Sequence, residues 1–358
     1  MKDEQEASEI RQALRESTRR FLDRRAGPAQ RTAALELPDG WDRKLWSRAS
    51  GELAWSAIAI PESLGGLGAS RAELAVVFEE AGRALMCGPL LSTTLGATAI
   101  QEAASTEQAE RLLPPLASGD QLAALCLTPF QLSEGQLGDG QLSGSARGVI
   151  DGQTADWLVV STGEEVFAVP TDLAGVSATT LPTMDQTRRL AEVRMDGVLI
   201  TDCERLDGGV AALDRAVDIG RAMLAAEQVG LAEWCLDTTV EYAKTRTQFG
   251  TPIGAFQAIK HMCADMLLRV ESARSAAADA ARAACGPAAD LALAASTAQT
   301  YCSEAAFFCA SHAIQIHGGI GFTWEHDCHL YFKRARANEA LLGTPSYHRE
   351  RVLRELGI

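Results

Sequence analysis

Three long stretches rich in alanine and leucine dominate the second half of the chain: ALDRAVDIGRAMLAAEQVGLAEWCLDTTVEYAKTR (212–246), FQAIKHMCADMLLRVESARSAAADAARAA (256–284) and LALAASTAQTYCSEAAFFCASHAIQIHGG (291–319). Their apolar residues recur at helical spacing, and helices of that length bury their apolar faces by packing against one another. The region from about Gly208 onward therefore reads as a helical bundle. Upstream the texture changes twice. From Met1 to about Gly119 the spacing is again helical, as in LAVVFEEAGRALMCGPLLSTTLGATAIQEAA, interrupted by Pro61 and the turn Gly65-Gly66-Leu67-Gly68. Between about Asp120 and Leu206 short β-prone runs (DWLVVST, EVFAVP, AEVRMDGVLI) alternate with Gly, Asp, Thr and Pro, the pattern of a small antiparallel barrel or sandwich. The expectation is an α+β protein of three domains: helical over 1–119, β over 120–206, and a four-helix bundle over 207–358.

With 358 residues, 47% of them hydrophobic, the chain can bury a substantial core. Its 33 basic and 47 acidic side chains give a net charge of −14, which repels nucleic-acid phosphates and anionic lipid in the absence of a local basic patch. No such patch is evident, so neither nucleic acid nor membrane is expected as a partner. The opening residues are charged and lack the apolar centre of a signal peptide, and no uncharged run approaches the roughly 20 residues of a membrane span. A cytoplasmic location follows as an expectation. The nine cysteines form no Cys-x-x-Cys pair, which reads as buried small hydrophobes in a reducing compartment. His326 and His329 are closely spaced, but a zinc site needs further ligands, and none is arranged nearby in sequence, so no metal is expected.

Two segments carry the chemistry. Arg246-Thr-Gln-Phe-Gly250 follows a helical run and precedes Pro252-Ile-Gly-Ala-Phe-Gln257. An arginine presents planar donors to pyrophosphate oxygens, a glutamine can bond an adenine or ribose edge, and an aromatic face can pack on a ring system. Taken alone, the same five residues also describe a helix capped by a glycine after surface polar residues. The second segment is Gln315-Ile-His-Gly-Gly-Ile-Gly-Phe322, where Gly318, Gly319 and Gly321 permit close approach of the backbone to a ligand. His317 within it can reach a ligand through a ring N–H or serve the turn itself.

The run YAKTRTQFGTPIGAFQAIKHMCADM, the Gln315–Phe322 segment and the turn IPESLGGLG (60–68), in this order along the chain with the helices–strands–helices sequence, resemble the acyl-CoA dehydrogenase family. The resemblance covers nearly the whole chain and is strongest from about Ala225 to Thr344. It implies that Arg246, Gln248, Phe249, Gln257, Gln315, Gly318 and Gly319 hold the ADP half of an FAD bound mainly to a neighbouring subunit, with His317, Gly321 and Thr344 also at the cofactor. In the family a glutamate in a Tyr-Glu-Gly-Thr loop takes the α-proton of an acyl-CoA thioester while the β-hydrogen passes to the flavin as hydride. Here Leu342-Gly343-Thr344 occupies that loop, and leucine cannot be a base at any pH. The alternative position of the base in some members falls near Gly220, which also lacks a carboxylate. On the flavin-ring side, LCLTPFQLSEGQL keeps Thr128 but has Pro129 where an acid is expected, and the turn that normally lies over the ring reads as shortened to GVIDGQTADW.

The resemblance therefore implies a base-lacking subunit of a heteromeric acyl-CoA dehydrogenase, similar to paired actinobacterial enzymes acting on bulky thioesters such as sterol side-chain fragments. Its partners would be an acyl-CoA, a larger homologue bearing the glutamate, and an electron-transfer flavoprotein. Two alternatives remain open from the sequence. One is a self-sufficient flavoenzyme with different oxidation chemistry or a relocated acid among Asp218, Glu227, Glu325 and Glu339, although Glu325 or Asp327 after the glycine turn also suits a helix cap. The other is a flavin-free scaffold.

Overall fold

In the computed structural model, which describes residues 2–134 and 140–358, the chain begins with α1 (Lys2–Arg25), α2 (Pro28–Leu35), α3 (Arg43–Leu53), α4 (Arg71–Arg83), α5 (Leu90–Ala103) and α6 (Thr106–Ala117). Strands β1 (Ala123–Leu125), β2 (Gln131–Glu134), β3 (Gly140–Ile150), β4 (Trp157–Ser161), β5 (Val166–Pro170), β6 (Val176–Thr180), β7 (Leu190–Leu199) and β8 (Glu204–Leu206) follow. The chain ends with α7 (Gly209–Thr245), the short strands β9 (Thr247–Gln248) and β10 (Thr251–Pro252), then α8 (Gln257–Ala283), α9 (Ala288–His317), α10 (Cys328–Asn338) and α11 (Pro345–Glu355). The helical, then β, then helical order of the sequence texture is realised. Two compact units result, one of Ala34–Ser70 and Cys87–Gly220, the other of Met1–Ala33, Arg71–Met86 and Arg221–Ile358.

The unit that contains the strands is built on two four-stranded sheets of order β1-β4-β5-β8 and β2-β3-β7-β6. Alternation along β7, with Ala191, Val193 and Met195 buried and Arg194 and Asp196 exposed, turns one face inward. The enclosed core includes Leu142, Leu158, Val160, Phe167, Val169, Val193 and Val198. The expected antiparallel arrangement fails at one pair, because β1 runs parallel to β4, with Ala123 opposite Trp157. The chain leaves β1, forms the β2–β3 pair in the other sheet and returns beside β1 in the same direction, a crossover that short runs of β-prone residues do not reveal. After β3 the chain turns at Asp151, whose φ is 50°, and the carboxylate accepts a 2.7 Å bond from the Ser92 hydroxyl on α5.

In the other unit, α4 crosses α7 with the two backbones touching. A Cβ on Gly230 would lie 1.8 Å from the Glu79 carbonyl oxygen, and one on Gly82 would lie 2.0 Å from that of Glu227, so the crossing requires glycine on both helices. Around it, Arg15 on α1 reaches Glu79 at 2.7 Å and Glu80 at 2.8 Å, Arg19 reaches Glu80 at 2.7 Å, and Arg274 on α8 contacts Glu79 and bonds Glu233 at 3.0 Å. The Trp234 and Tyr331 rings stack at 3.6 Å, and the Tyr331 hydroxyl donates to the Arg83 carbonyl at 2.7 Å. Asp327 precedes α10, yet its carboxylate does not cap that helix; it accepts instead from the buried Arg31 at 2.6 Å. An ion pair with a buried guanidinium outcompetes a neutral amide donor for that carboxylate. Among the described residues no helix is long and apolar enough to cross a membrane. All nine cysteines are free; six are buried, Cys203 and Cys263 are half-buried, and Cys285 is exposed.

Candidate functional site

Helix α7 stops at Thr245, and Arg246 leads into the β9–β10 hairpin, where Gln248 pairs with Thr251. The turn between the strands is Phe249-Gly250, with φ of 53° and 78°. Positive φ at both central residues is the type I′ geometry, whose twist suits an antiparallel pair. Gly250 therefore serves a hairpin and does not cap α7. Glycine adopts the left-handed region freely, whereas a side chain such as phenylalanine pays about 1–2 kcal/mol for it. Phe249 is nevertheless 94% exposed, with its ring edge-on to that of Phe256 at 6.3 Å and 82°. A large ring held outward on a strained turn is the geometry of a group that meets another molecule. Arg246, Gln248 and Gln257, the last at the start of α8, are also exposed, and Arg246 makes no ion pair among the described residues.

The second glycine-rich segment follows α9. Gly318 caps that helix with φ 65° and ψ −138°, a backbone conformation that side chains avoid, while its N–H still donates to the Ile314 carbonyl. Nothing lies within 4 Å of where a Cβ on Gly318 or Gly319 would stand. Gln315, Gly318 and Gly319 are exposed, and Gly321 is buried against the Ile314 backbone. An uncommitted guanidinium, exposed amides and an open glycine turn fit the pyrophosphate and adenosine end of a dinucleotide.

His317 is placed otherwise. It is 4% exposed; its Nδ1 lies 2.7 Å from the Ala313 carbonyl oxygen, and its ring stacks on Tyr242 of α7 at 4.3 Å and 25°. The carbonyl contact puts the proton on Nδ1, which leaves Nε2 as a bare lone pair without a partner among the described residues. Tyr242 belongs to this site but was not legible as such, because a tyrosine on an amphipathic helix carries no distinguishing spacing.

His317, His326 and Cys328 bring ligand atoms within 4.8 Å of one another, nearer a metal set than the sequence spacing implied. The Nδ1 nitrogens of both histidines are engaged, while Nε2 of His317 is open. Nδ1 of His317 is bonded to the Ala313 carbonyl, Nδ1 of His326 accepts from the Cys328 amide at 3.2 Å, and burial pushes the Cys328 thiol up to about 12. Burial also lowers the pKa of His317 and His326. His329 lies outside this group, edge-on to Trp324 at 4.6 Å.

At the end of α10 the chain enters the loop of the missing base. Leu342 is 6% exposed with φ 58°, its carbonyl accepts a 2.9 Å bond from Nε of the buried Arg221, and the guanidinium also lies 5.5 Å from the centre of the Tyr347 ring. The Thr344 hydroxyl accepts from the Tyr347 amide at 3.3 Å and starts α11. Arg221 follows Gly220 directly, so the second base position is succeeded by a cation; the sequence reading missed it, and an arginine on an otherwise apolar helical face is the one signal that points to it. Of the four candidate relocated acids, Glu227 is buried and accepts from Arg334 at 3.1 Å and Asn338 at 3.0 Å, and Glu339 pairs with Arg336. Asp218 is buried and Glu325 exposed. In the strand-containing unit, Thr128 and Pro129 are exposed beyond β1, while Gly135, Gln136 and Leu137 of the same segment lie outside the described residues.

Comparison with known proteins gives consistent matches along the chain. The family model for the acyl-CoA dehydrogenase N-terminal domain matches residues 8–120, and that for the C-terminal domain matches 207–357. The acyl-CoA dehydrogenase IpdE2 of Mycobacterium tuberculosis is 40% identical over 350 residues, spanning 97% of this chain and 96% of its own. Among solved structures, the ChsE4–ChsE5 complex from Mycobacterium tuberculosis aligns with a TM-score of 0.90 at 30% identity, covering 98% of this chain and 97% of its own. A variant of the Tcur3481–Tcur3483 steroid ACAD aligns at 0.88 and 27%, covering 98% of each chain.

Proposed function

The chain belongs to the acyl-CoA dehydrogenase family of FAD-dependent oxidoreductases, and on that premise we propose that it is the base-lacking subunit of a heteromeric member of the family. The observation that carries this reading is one unit holding two opposite features: an exposed dinucleotide-binding set and a base position filled by buried Leu342 under Arg221. FAD, when bound, accepts the β-hydrogen of an acyl thioester. The residues of this chain hold its ADP end: Arg246 pairs with the pyrophosphate, Gln248, Gln257 and Gln315 offer amides, Phe249 packs on the cofactor or on the neighbour that holds it, and Gly318 and Gly319 leave room for the phosphates. The carboxylate that removes the α-proton comes from a larger homologous subunit, and electrons leave to an electron-transfer flavoprotein. The likeness to a steroid ACAD and to a two-component complex supports a bulky, sterol-derived thioester as substrate and a heteromer as the working form.

Nothing favours the self-sufficient alternative among the acids whose partners are described, since Glu227 is committed to Arg334 and Asn338 and Glu339 to Arg336. The test is FAD retention by the assembled complex. Arg246→Ala removes a charge-assisted contact of about 1.5–3 kcal/mol, so the FAD dissociation constant should rise on the order of 10- to 150-fold. Unchanged retention would sink the reading.

A further inference from the structure

The two cofactor-facing segments are far apart in sequence, yet they are joined at one point. Tyr242 lies four residues before Arg246, and the Arg246 amide donates to the Tyr242 carbonyl at 2.8 Å, so the tyrosine stands on the last turn of α7, from which the hairpin leaves. His317 is the last residue of α9 and immediately precedes Gly318, whose positive φ opens the second segment. The two rings stack at 4.3 Å, and the Tyr242 hydroxyl lies 3.5 Å from the His317 carbonyl oxygen. Behind His317, its ring is fixed by the Ala313 carbonyl, by Cys328 Sγ at 3.7 Å and by the His326 ring at 4.5 Å. Burial, and to a lesser degree the neighbouring His326, disfavour a charge on the ring, while the Ala313 carbonyl favours its N–H.

We infer that His317 does not contact the cofactor but is a positioning residue, clamping the Arg246 hairpin to the Gly318 turn through its stack on Tyr242. This rests on the reading that both segments hold FAD. What binding needs from His317 is then a flat ring of the right size on Tyr242; the ring nitrogens serve only to orient it. A residue acting by direct contact would need those nitrogens, and one acting only in the core would alter stability without altering cofactor affinity.

The experiment measures FAD dissociation constants and thermal midpoints on the assembled complex for His317→Ala, His317→Phe, Tyr242→Ala and the double alanine variant. His317→Ala is expected to weaken FAD binding at least tenfold, and His317→Phe, which keeps the stack, to remain within about threefold of the parent. Tyr242→Ala should match His317→Ala, and the double variant should be little worse than either, because both remove the same contact. Equal losses for Ala and Phe would mean direct contact, additive losses would mean two independent roles, and FAD affinity that does not move with any of them would mean packing alone; each overturns the inference. Where His317→Ala fails to assemble, Tyr242→Ala and His317→Phe still decide it. Arg246→Ala in parallel separates the two claims: if it leaves FAD bound as tightly as in the parent, the cofactor reading has failed, and if it weakens binding while the ring variants do not, only the clamp has failed.

Discussion

At the scale of single residues, the lost base is a replaced site as well as a missing carboxylate. Arg221 holds the carbonyl of residue 342, so a carboxylate placed on that side chain lies within reach of a buried cation. An opposite charge within about 4–6 Å lowers a carboxylate pKa by 1–3 units and weakens it as a base. Leu342→Glu is therefore expected to give no flavin reduction by acyl-CoA when this chain is the sole source of the base; bleaching of the flavin would refute the role assigned to Arg221. Glu227 makes the complementary case. It is buried with Arg334 and Asn338, and removing one partner of a buried pair costs about 3–5 kcal/mol, so Glu227→Ala should lower unfolding stability by that much in a denaturant titration. Leu342 was plain in the sequence because a motif surrounds it. Arg221 was not, since its role depends on which carbonyl it meets across the fold.

At the scale of elements, the β9–β10 hairpin trades stability for exposure. Phe249 has positive φ and 94% of its surface open, so Phe249→Asn, a residue that tolerates the left-handed region, should leave the thermal midpoint unchanged or raise it slightly while weakening FAD or partner binding. A lower midpoint with binding intact would reverse the argument. The elements around the glycine turn also carry a pH dependence. His317, His326 and His329 are each held below the ordinary 6.5, chiefly by burial, so the folded state prefers them neutral. The unfolded chain takes up protons near 6.5 and the folded one only at lower pH; stability is thus complete above about 6.5 and falls as the pH drops through the folded values. Urea midpoints measured across that range should decline on the acid side, and the decline should shrink in His317→Phe. Element type was legible from periodicity, as in α8 and α9. The parallel β1–β4 pair and the hairpin at Phe249-Gly250 were not, because strand direction and turn type depend on where the chain goes next.

At the scale of the whole molecule, the family was legible because specific motifs resemble it in the right order along a helices–strands–helices chain, and the family models match on both sides of the strands. The division of labour was less legible, because it rests on burial: the same sequence that shows His317 inside a glycine motif does not show it turned inward onto Tyr242. The central claim is that this chain supplies cofactor contacts and another subunit supplies the base. It is tested most directly by anaerobic flavin reduction with an acyl-CoA substrate, using this chain alone, this chain with its glutamate-bearing homologue, and the same pair with that glutamate replaced by glutamine. The account predicts rapid reduction only in the intact pair and a loss of about 10²–10⁴-fold when the partner's carboxylate is removed. Flavin reduction by this chain alone, or by the pair at an undiminished rate after the glutamine replacement, would contradict it.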